Sequence, residues 1–283
     1  MAANDDMVAL WNGPDTAAWA THPDRYDRML HPFGERVLGA AELQPHERVL
    51  DVGCGAGALT LAAAAVVTEG HATGADIARP LLDLARRRTA EASTENVDFV
   101  DADVQTASLP RAPFDAIISR FGVMFFDDPV AAFTNLRRHV TDTGRLAFTC
   151  WQPLGSNEWA MVPVLAALPH IGVPEAPAPD APGPFAFGDP DRIRTVLGSA
   201  GWAVTAIDGL EVPIHVGGAS DEDEALVYYQ EDAFGKVLFG SGDTAAREAA
   251  ADSLRAALTE HVTDEGVRLG AATWIVTATA STS

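Results

Sequence analysis

The sequence predicts an α/β fold built on a doubly wound, mostly parallel sheet. First, five strand-like apolar runs alternate with helical patterns between residues 47 and 150, which is typical of parallel sheets with crossover helices. Second, the first run ends in Gly53, Gly55 and Gly57 and continues into an alanine-rich stretch. This predicts a buried strand, a tight turn and a helix start. Third, 283 residues of which 47% are hydrophobic provide enough apolar side chains for a full core.

The predicted elements follow the chain in order. Strands are expected at residues 48–52, 70–76, 96–100, 114–119, 145–151, 202–210 and 270–279. Helices are expected at residues 58–67, from Pro80, after Asp128, at 190–200, after 221–224 and at 245–262. Proline at the first helical position and aspartate just before it are common helix-start signals, and both occur here.

We divide the chain into four regions: a helical segment at 1–45, a core at 46–151, a cap insertion with a helix at 152–200, and a completion of the sheet with substrate-cap helices at 201–283. In the first region a second helix is expected to start at Pro32. This region either covers one edge of the sheet or forms a lid over a ligand site. Residues 152–188 are rich in proline and glycine, which predicts an irregular cap over the sheet.

Charge and composition argue against several function classes. The 19 basic and 40 acidic residues give a net charge of −21, which opposes binding to nucleic acid or to an anionic membrane. Only two cysteines occur and no metal-ligand spacing is present, so we expect a metal-free, cytoplasmic protein. The N-terminus has no secretion signal, and no apolar run approaches the ~20 residues that span a bilayer. The sequence leaves both a monomer and a homodimer open.

The glycine loop is compatible with two kinds of nucleotide-like ligand. Gly53, Gly55 and Ala58 fit the dinucleotide pattern G-x-G-x-x-G/A, and Asp76 follows at about the 20-residue spacing of its ribose-binding acid. A different ligand is indicated by Asp51, which lies inside the strand two residues before the first glycine. A carboxylate there can order the loop through backbone N–H groups and approach a cationic ligand.

Residues 49–57 match the pattern h-h-D-h-G-x-G-x-G in full, where h is an apolar residue. With Asp103 after the third strand, this run resembles the class I S-adenosylmethionine (SAM)-dependent methyltransferases. The resemblance is strong over 45–151 and closest to the small-molecule group similar to ubiquinone and menaquinone C-methyltransferases (methyltransferase type 11). It implies a Rossmann-like sheet of seven strands whose last strand enters antiparallel between strands five and six. It also implies SAM as cofactor and S-adenosylhomocysteine as product.

The resemblance carries the family's cofactor positions onto this chain. They are Asp51, Gly53, Cys54, Gly55, Gly57, Asp76, Ile77, Asp103, Val104, Ser119 and Arg120. Asp76 would accept hydrogen bonds from the ribose hydroxyls, with Ile77 against the adenine face. The alternative is that Asp76 caps the helix that begins near Pro80.

Two further positions have competing interpretations. Asp103 would accept a hydrogen bond from the adenine amino group, while the Val104 N–H would reach a ring nitrogen. Asp101 competes with Asp103 for this position. Arg120 would contact the SAM carboxylate or a substrate anion, or else form an ion pair at the strand end with Asp127 or Asp128. The arginine run 86–88 is interpreted as a solvated helix face.

The acceptor site is predicted to be apolar. Its candidate residues are Phe121, Met124, Phe125, Phe126, Trp151 and Trp11. Ordinary core packing is the competing interpretation for the aromatic run after strand four. A catalytic base, where one is needed, could be His31, His139 or Glu158, and none of these stands out. We therefore expect methyl transfer to a small hydrophobic molecule, such as a specialised or quinone-like metabolite. The alternatives are a non-methylating cyclase or SAM-binding scaffold and a nicotinamide-dependent oxidoreductase.

Overall fold

The computed structural model describes residues 4–172, 178, 181–240 and 242–281. One sheet organises this part of the chain. Its strands are β1 (Arg48–Val52), β2 (His71–Asp76), β3 (Val97–Asp101), β4 (Phe114–Arg120), β5 (Val140–Trp151), β6 (Trp202–His215), β7 (Val262–Thr263) and β8 (Gly266–Ala280). The strand order is β3-β2-β1-β4-β5-β8-β6, and β7 pairs only with β8. The short β7 makes eight strands where seven were expected.

The pairing confirms the predicted topology. The strands from β3 to β5 are parallel, whereas β8 runs antiparallel to both β5 and β6. The last strand of the chain therefore lies between the fifth and sixth, as the family resemblance implied. Strands β6 and β8 are longer than the sequence pattern indicated.

Eleven α-helices surround the sheet in the described residues. They are α1 (Asp5–Trp11), α2 (Ala18–Thr21), α3 (Pro23–Ala41), α4 (Ala58–Val66), α5 (Arg79–Ala92), α6 (Pro129–Arg138), α7 (Glu158–Ile171), α8 (Pro190–Ser199), α9 (Glu222–Glu231), α10 (Ala233–Phe239) and α11 (Thr244–Thr259). None of the described helices is long and apolar enough to cross a membrane.

Both faces of the sheet are buried. Val49, Ile118 and Ala147 belong to one apolar cluster, whereas their chain neighbours Leu50 and Ile117 belong to another. Successive side chains of a strand point to opposite faces, so each central strand contributes to both clusters. A sheet covered on both faces in this way is doubly wound, as predicted.

Two proline-based predictions are wrong. Pro32 does not start a helix but lies inside α3. Buried residues continue on both sides of it at helical spacing, from Met29 to Val37, and their burial holds the helix together. Likewise, the predicted irregular excursion contains α7, whose Pro163 is buried within the helix. Helix α7 packs against α11 and β8. Residues 173–177, 179 and 180, in the proline-rich part of that excursion, lie outside the described residues.

Candidate functional site

The glycine loop between β1 and α4 has three residues in the left-handed region. The φ angles of Gly53, Gly55 and Gly57 are 66°, 55° and 82°, which other residues adopt only with strain. A Cβ on Gly53 would lie 2.6 Å from the Cα of Gly122, and one on Gly57 would lie 2.8 Å from Phe99 Cζ. A Cβ on Gly55 would meet nothing nearer than 3.9 Å. Packing thus requires glycine at positions 53 and 57, whereas the space beside Gly55 is open.

Asp76 at the end of β2 holds this loop in place. Its Oδ2 accepts a hydrogen bond from the Gly55 N–H at 2.7 Å, and its Oδ1 accepts one from the Ala78 N–H at 2.8 Å. The alternative role as a helix cap does not apply, because Ala78 is the N-cap residue of α5 and that helix has no side-chain cap. Each carboxylate oxygen keeps a further lone pair. Burial raises the pKa of Asp76, although these backbone hydrogen bonds oppose the shift.

Asp51 is 1% exposed in the centre of β1. Thr60 Oγ1 donates to its Oδ2 at 2.6 Å, whereas its Oδ1 has no hydrogen-bond partner in the described structure. Burial raises the pKa of Asp51 to about 7. The expected bonds from Asp51 to the loop N–H groups are a wrong prediction, because the Asp76 carboxylate and the Ala75 carbonyl order the loop instead. The unpaired buried oxygen fits a cationic ligand beside the loop.

The acid after β3 that faces the site is Asp103. Its Oδ1 accepts from the Gln105 N–H at 3.0 Å and from Asn4 Nδ2 at 3.3 Å. Asp101, the competing position, is exposed and pairs with Arg79 Nε at 2.8 Å. The side chain of Val104 is buried beneath the turn that follows β3. Asp76 thus ends β2, and Asp103 lies two residues beyond the end of the neighbouring parallel strand β3.

Helix α1 lies across these two strand ends. At its start, Asn4 is bonded to Asp103 after β3. At its end, Asn12 Nδ2 donates to the Ile77 carbonyl at 2.9 Å, and the Arg79 N–H donates to Asn12 Oδ1 at 3.0 Å. Neither asparagine was singled out from the sequence, since an isolated asparagine near the N-terminus carries no pattern. Their bonds join α1 to the loops after β2 and β3.

Arg120 at the end of β4 is held from α3. Its Nη2 lies 3.6 Å from Asp27 Oδ1, and Arg88 Nη1 lies 2.7 Å from Asp27 Oδ2. Arg88 also donates to the Ala56 carbonyl in the glycine loop at 3.2 Å. The predicted pairing with Asp127 or Asp128 is wrong, and Arg88 is not part of a solvated face. Burial lowers the pKa of Arg120, while Asp27 opposes the shift.

Ser119 and Cys54 have their side chains inside the protein. Ser119 Oγ donates to the Val52 carbonyl at 2.7 Å and accepts from the Gly122 N–H at 3.2 Å. The hydroxyl thereby joins the ends of β1 and β4. The Cys54 thiol is buried, and its pKa is well above the ordinary value because of that burial. Both residues support the shape of the loop through side chains that are already occupied within the chain.

An aromatic cluster continues from β4. Phe121 has a φ of 66°, a strained value for an aromatic residue. Its ring stacks on Trp151 with centroids 4.2 Å apart, and Phe33 meets both rings edge-on at 5.3 Å. The Phe121 N–H donates to the Thr149 carbonyl at 3.1 Å. These contacts hold Phe121 where β4 ends, next to the glycine loop.

The remaining predicted wall residues divide into two groups. Met124 and Phe126 are 2% and 7% exposed, and the ring of Phe126 packs on Phe133, so these two are core residues. Phe121 and Trp151 are as buried as Phe126, at 7% each. Phe125 and Trp11 are only partly buried and meet edge-on with centroids 5.2 Å apart. The second pair joins α1 to the end of β4.

None of the three candidate bases is available in the site. His31 is exposed on α3 and lies 3.4 Å from Glu35. Both ring nitrogens of His139 are bonded to backbone groups. Its carbonyl accepts from the N–H of Phe114, the first residue of β4. His139 therefore lies at the end of the strands opposite to the glycine loop. Glu158 Oε2 accepts from the Gly270 N–H at 2.7 Å on β8. These predictions are corrected: the three residues have structural partners.

Polar contacts connect α3 and the segment before it with α9 and α10. Tyr26 Oη donates to Asp232 Oδ2 at 3.2 Å between α3 and the start of α10. Arg25 pairs with Glu231 at 2.8 Å, and Lys236 Nζ donates to the carbonyl of Pro14 at 3.1 Å. Burial raises the pKa of Asp232. We call this set of contacts the roof seam; the sequence predicted cap helices in these regions but not the contacts that join them.

Residues 49–144 match the family described as a methyltransferase domain. Over these residues the chain is similar to that family. The match covers the glycine loop and the acids after β2 and β3, so the resemblance inferred from the sequence is confirmed.

Three curated relatives share part of the chain. Aklanonic acid methyltransferase DauC from Streptomyces sp. (strain C5) is 33% identical over 47% of this chain and 63% of its own length. Nocamycin O-methyltransferase from Saccharothrix syringae is 29% identical over 62% of this chain and 65% of its own length. Demethylmenaquinone methyltransferase from Thermus thermophilus is 29% identical over 64% and 89%. The chain thus spans slightly less than two thirds of the first two relatives.

Solved structures share the fold. The YcgJ protein from Bacillus subtilis aligns with a TM-score of 0.57 at 17% identity, over 89% of this chain and all of the other. The [4+2]-cyclase SpnF aligns with a TM-score of 0.54 at 18% identity, over 89% of this chain and 82% of the other. At these identities the alignments establish the class I methyltransferase architecture, as predicted.

Proposed function

We propose that this protein transfers a methyl group from SAM to a small hydrophobic organic molecule. The observation that carries the proposal is made at the carboxyl ends of β1, β2 and β3. There the glycine loop, with open space at Gly55, lies near Asp76, Asp103 and the unpaired oxygen of Asp51. The named relatives methylate small molecules according to their names, which supports this class of acceptor.

In this proposal each part of the edge has one task. The free lone pairs of Asp76 accept the ribose hydroxyls, Ile77 lies against the adenine ring, and Asp103 with the Val104 N–H binds the adenine edge. Asp51 and Arg120 face the charged methionine part, where a carboxylate suits a cation and a guanidinium suits a carboxylate. SAM, when bound, supplies an activated methyl group whose departure leaves a neutral thioether, so no general acid is needed.

The acceptor lies beyond β4 against Phe121 and Trp151. Aromatic side chains from α3, β5, α7 and the turn after β4 meet there, and in this proposal the helices that the roof seam joins cover the acceptor. An apolar site of this kind suits a hydrophobic or polycyclic molecule. Aligning the acceptor with the methyl group can supply about 7–11 kcal/mol of the barrier reduction at best.

The protein is expected to act in the cytoplasm on a free small molecule, without nucleic acid, as a monomer or a homodimer. Its net charge of −21 supports the exclusion of polyanionic partners. No metal takes part in the proposed reaction.

The acceptor is sought with a panel of lipophilic phenols, quinones and polyketides, incubated with the protein and SAM. Mass spectrometry should detect a product heavier by one CH₂ for at least one apolar acceptor. Methylation confined to phosphorylated or coenzyme A-linked compounds would contradict the apolar site. Binding of SAM with conversion of an acceptor to an isomer of unchanged mass would instead identify a cyclase.

A further inference from the structure

The side-chain amide of Asn4 lies at the start of α1 and is 6% exposed. Its Nδ2 donates to Asp103 Oδ1 at 3.3 Å, which fixes the orientation of the amide. The other end of that amide, Oδ1, is buried and has no hydrogen-bond partner in the described structure. Buried polar atoms are nearly always paired, and an unpaired acceptor costs on the order of 1–3 kcal/mol, so this oxygen requires an explanation.

The position of α1 explains the unpaired oxygen of Asn4. The helix has seven residues and spans about 10 Å. Asn4 anchors its start after β3, and Asn12 anchors its end at Ile77 after β2. These two strands are neighbours, roughly 4.8 Å apart. Helix α1 therefore covers the carboxyl ends of β2 and β3, where Asp76 and Asp103 lie. Asn4 Oδ1 lies beside Asp103, the acid expected to bind adenine.

The hydrogen-bond chemistry of adenine matches this pair of acceptors. Its 6-amino group offers two N–H donors, and a single carboxylate oxygen accepts one of them at good geometry. Asp103 is already held by the Gln105 N–H and by Asn4, so its position relative to the Asn4 amide is fixed. A second acceptor beside Asp103 would bind the second N–H of the amino group.

We infer that Asn4 is a cofactor-binding residue that accepts a hydrogen bond from the adenine 6-amino group through its Oδ1. The inference rests on the proposed function, because it assigns the adenine end of the same site. It makes α1 part of the binding site, in which the helix recognises the base as well as covering it. Adenine is then preferred to purines that lack a 6-amino donor.

The test uses titration calorimetry of the full chain with two ligands, S-adenosylhomocysteine and its analogue in which hydrogen replaces the 6-amino group. Asn4→Ala should lower the affinity for S-adenosylhomocysteine about five- to tenfold, which corresponds to the loss of one hydrogen bond. The same variant should change the affinity of the analogue less than twofold. Because Asn4→Ala also removes the bond to Asp103, it is repeated in an Asp103→Ala background. A selective loss for S-adenosylhomocysteine that persists there supports direct contact, and its disappearance would overturn the inference.

Asn12→Ala is the matched control. It releases the other end of α1, so any loss should be equal for the two ligands. Equal losses for both ligands in Asn4→Ala, or no loss for either, would overturn the inference and leave Asn4 as a link between α1 and Asp103. If the unaltered protein bound neither ligand, the proposed function itself would fail, which is a different result.

Discussion

The two ends of the candidate site are built in opposite ways. The proposed adenosine end consists of polar groups within β1, at the end of β2 and just after β3, each held by a backbone N–H or a short side-chain bond. The acceptor end consists of stacked aromatic rings brought together from α3, β5, α7 and the turn after β4. The first is specified by local spacing along the chain, and the second by tertiary packing. Substitutions at the two ends should therefore have separable effects.

The largest effect is expected from Gly53→Ala in the glycine loop. The variant forces a Cβ onto a φ of 66° and within 2.6 Å of the Gly122 backbone. We expect the free energy of unfolding to fall by at least about 3 kcal/mol, with SAM binding lost. Gly39→Ala is the control, since a Cβ there meets nothing within 4 Å in α3 and should be neutral or slightly stabilising. Urea denaturation compares the two, and equal stabilities would contradict the loop geometry.

The next effect concerns the pH dependence of stability. Burial raises the pKa of Asp51 to about 7, whereas an unfolded aspartate titrates at about 3.9. Folding thus favours the protonated form, so the contribution of Asp51 to stability is full below about pH 4 and lost as pH rises through about 7. Between these values, wild type should lose on the order of 2–4 kcal/mol relative to Asp51→Asn. Urea denaturation from pH 4 to 8 measures the difference, and parallel curves would show an ordinary carboxyl.

A somewhat smaller effect is expected from Asp76→Ala at the adenosine end. Removing the carboxylate takes away the ribose acceptor and the bond to the Gly55 N–H. The affinity for S-adenosylhomocysteine should fall by about 1.5–3 kcal/mol, the range for charge-assisted hydrogen bonds. Asp101→Ala is the control, because Asp101 is exposed and, among the described residues, pairs with Arg79. Circular dichroism should remain native, and unchanged affinity in Asp76→Ala would remove this residue from the site.

The smallest effect is expected at the roof seam. Tyr26→Phe removes the hydroxyl that donates to buried Asp232, so the free energy of unfolding should fall by about 1–2 kcal/mol. The KM for the acceptor should rise while the affinity for S-adenosylhomocysteine stays unchanged. Thr89→Val is the control, because it removes a hydroxyl that donates to the Ala85 carbonyl within α5 and should leave the KM for the acceptor unchanged. A raised KM for SAM in Tyr26→Phe would contradict the separation of the two ends.

The same division explains what the sequence could predict. The alternating strands and helices of 47–150 and the glycine loop follow from periodicity and glycine spacing over short windows, whereas the place of the last strand was implied by the family resemblance. Pro32 and Pro163 were interpreted as breakers, because local propensity does not include the burial that holds α3 and α7 together. Contacts between distant residues left no local pattern. Tyr26 and Asp232 are 206 positions apart, and Asn4 and Asp103 are 99 apart.

The central claim is that the polar groups at the carboxyl ends of β1, β2 and β3, together with Arg120, bind the adenosine and methionine parts of SAM. Titration calorimetry of the unaltered protein with S-adenosylhomocysteine and with NAD tests it most directly. The account predicts saturable binding of S-adenosylhomocysteine at one site per chain and no comparable response to NAD. Tight binding of NAD with no response to S-adenosylhomocysteine would contradict it.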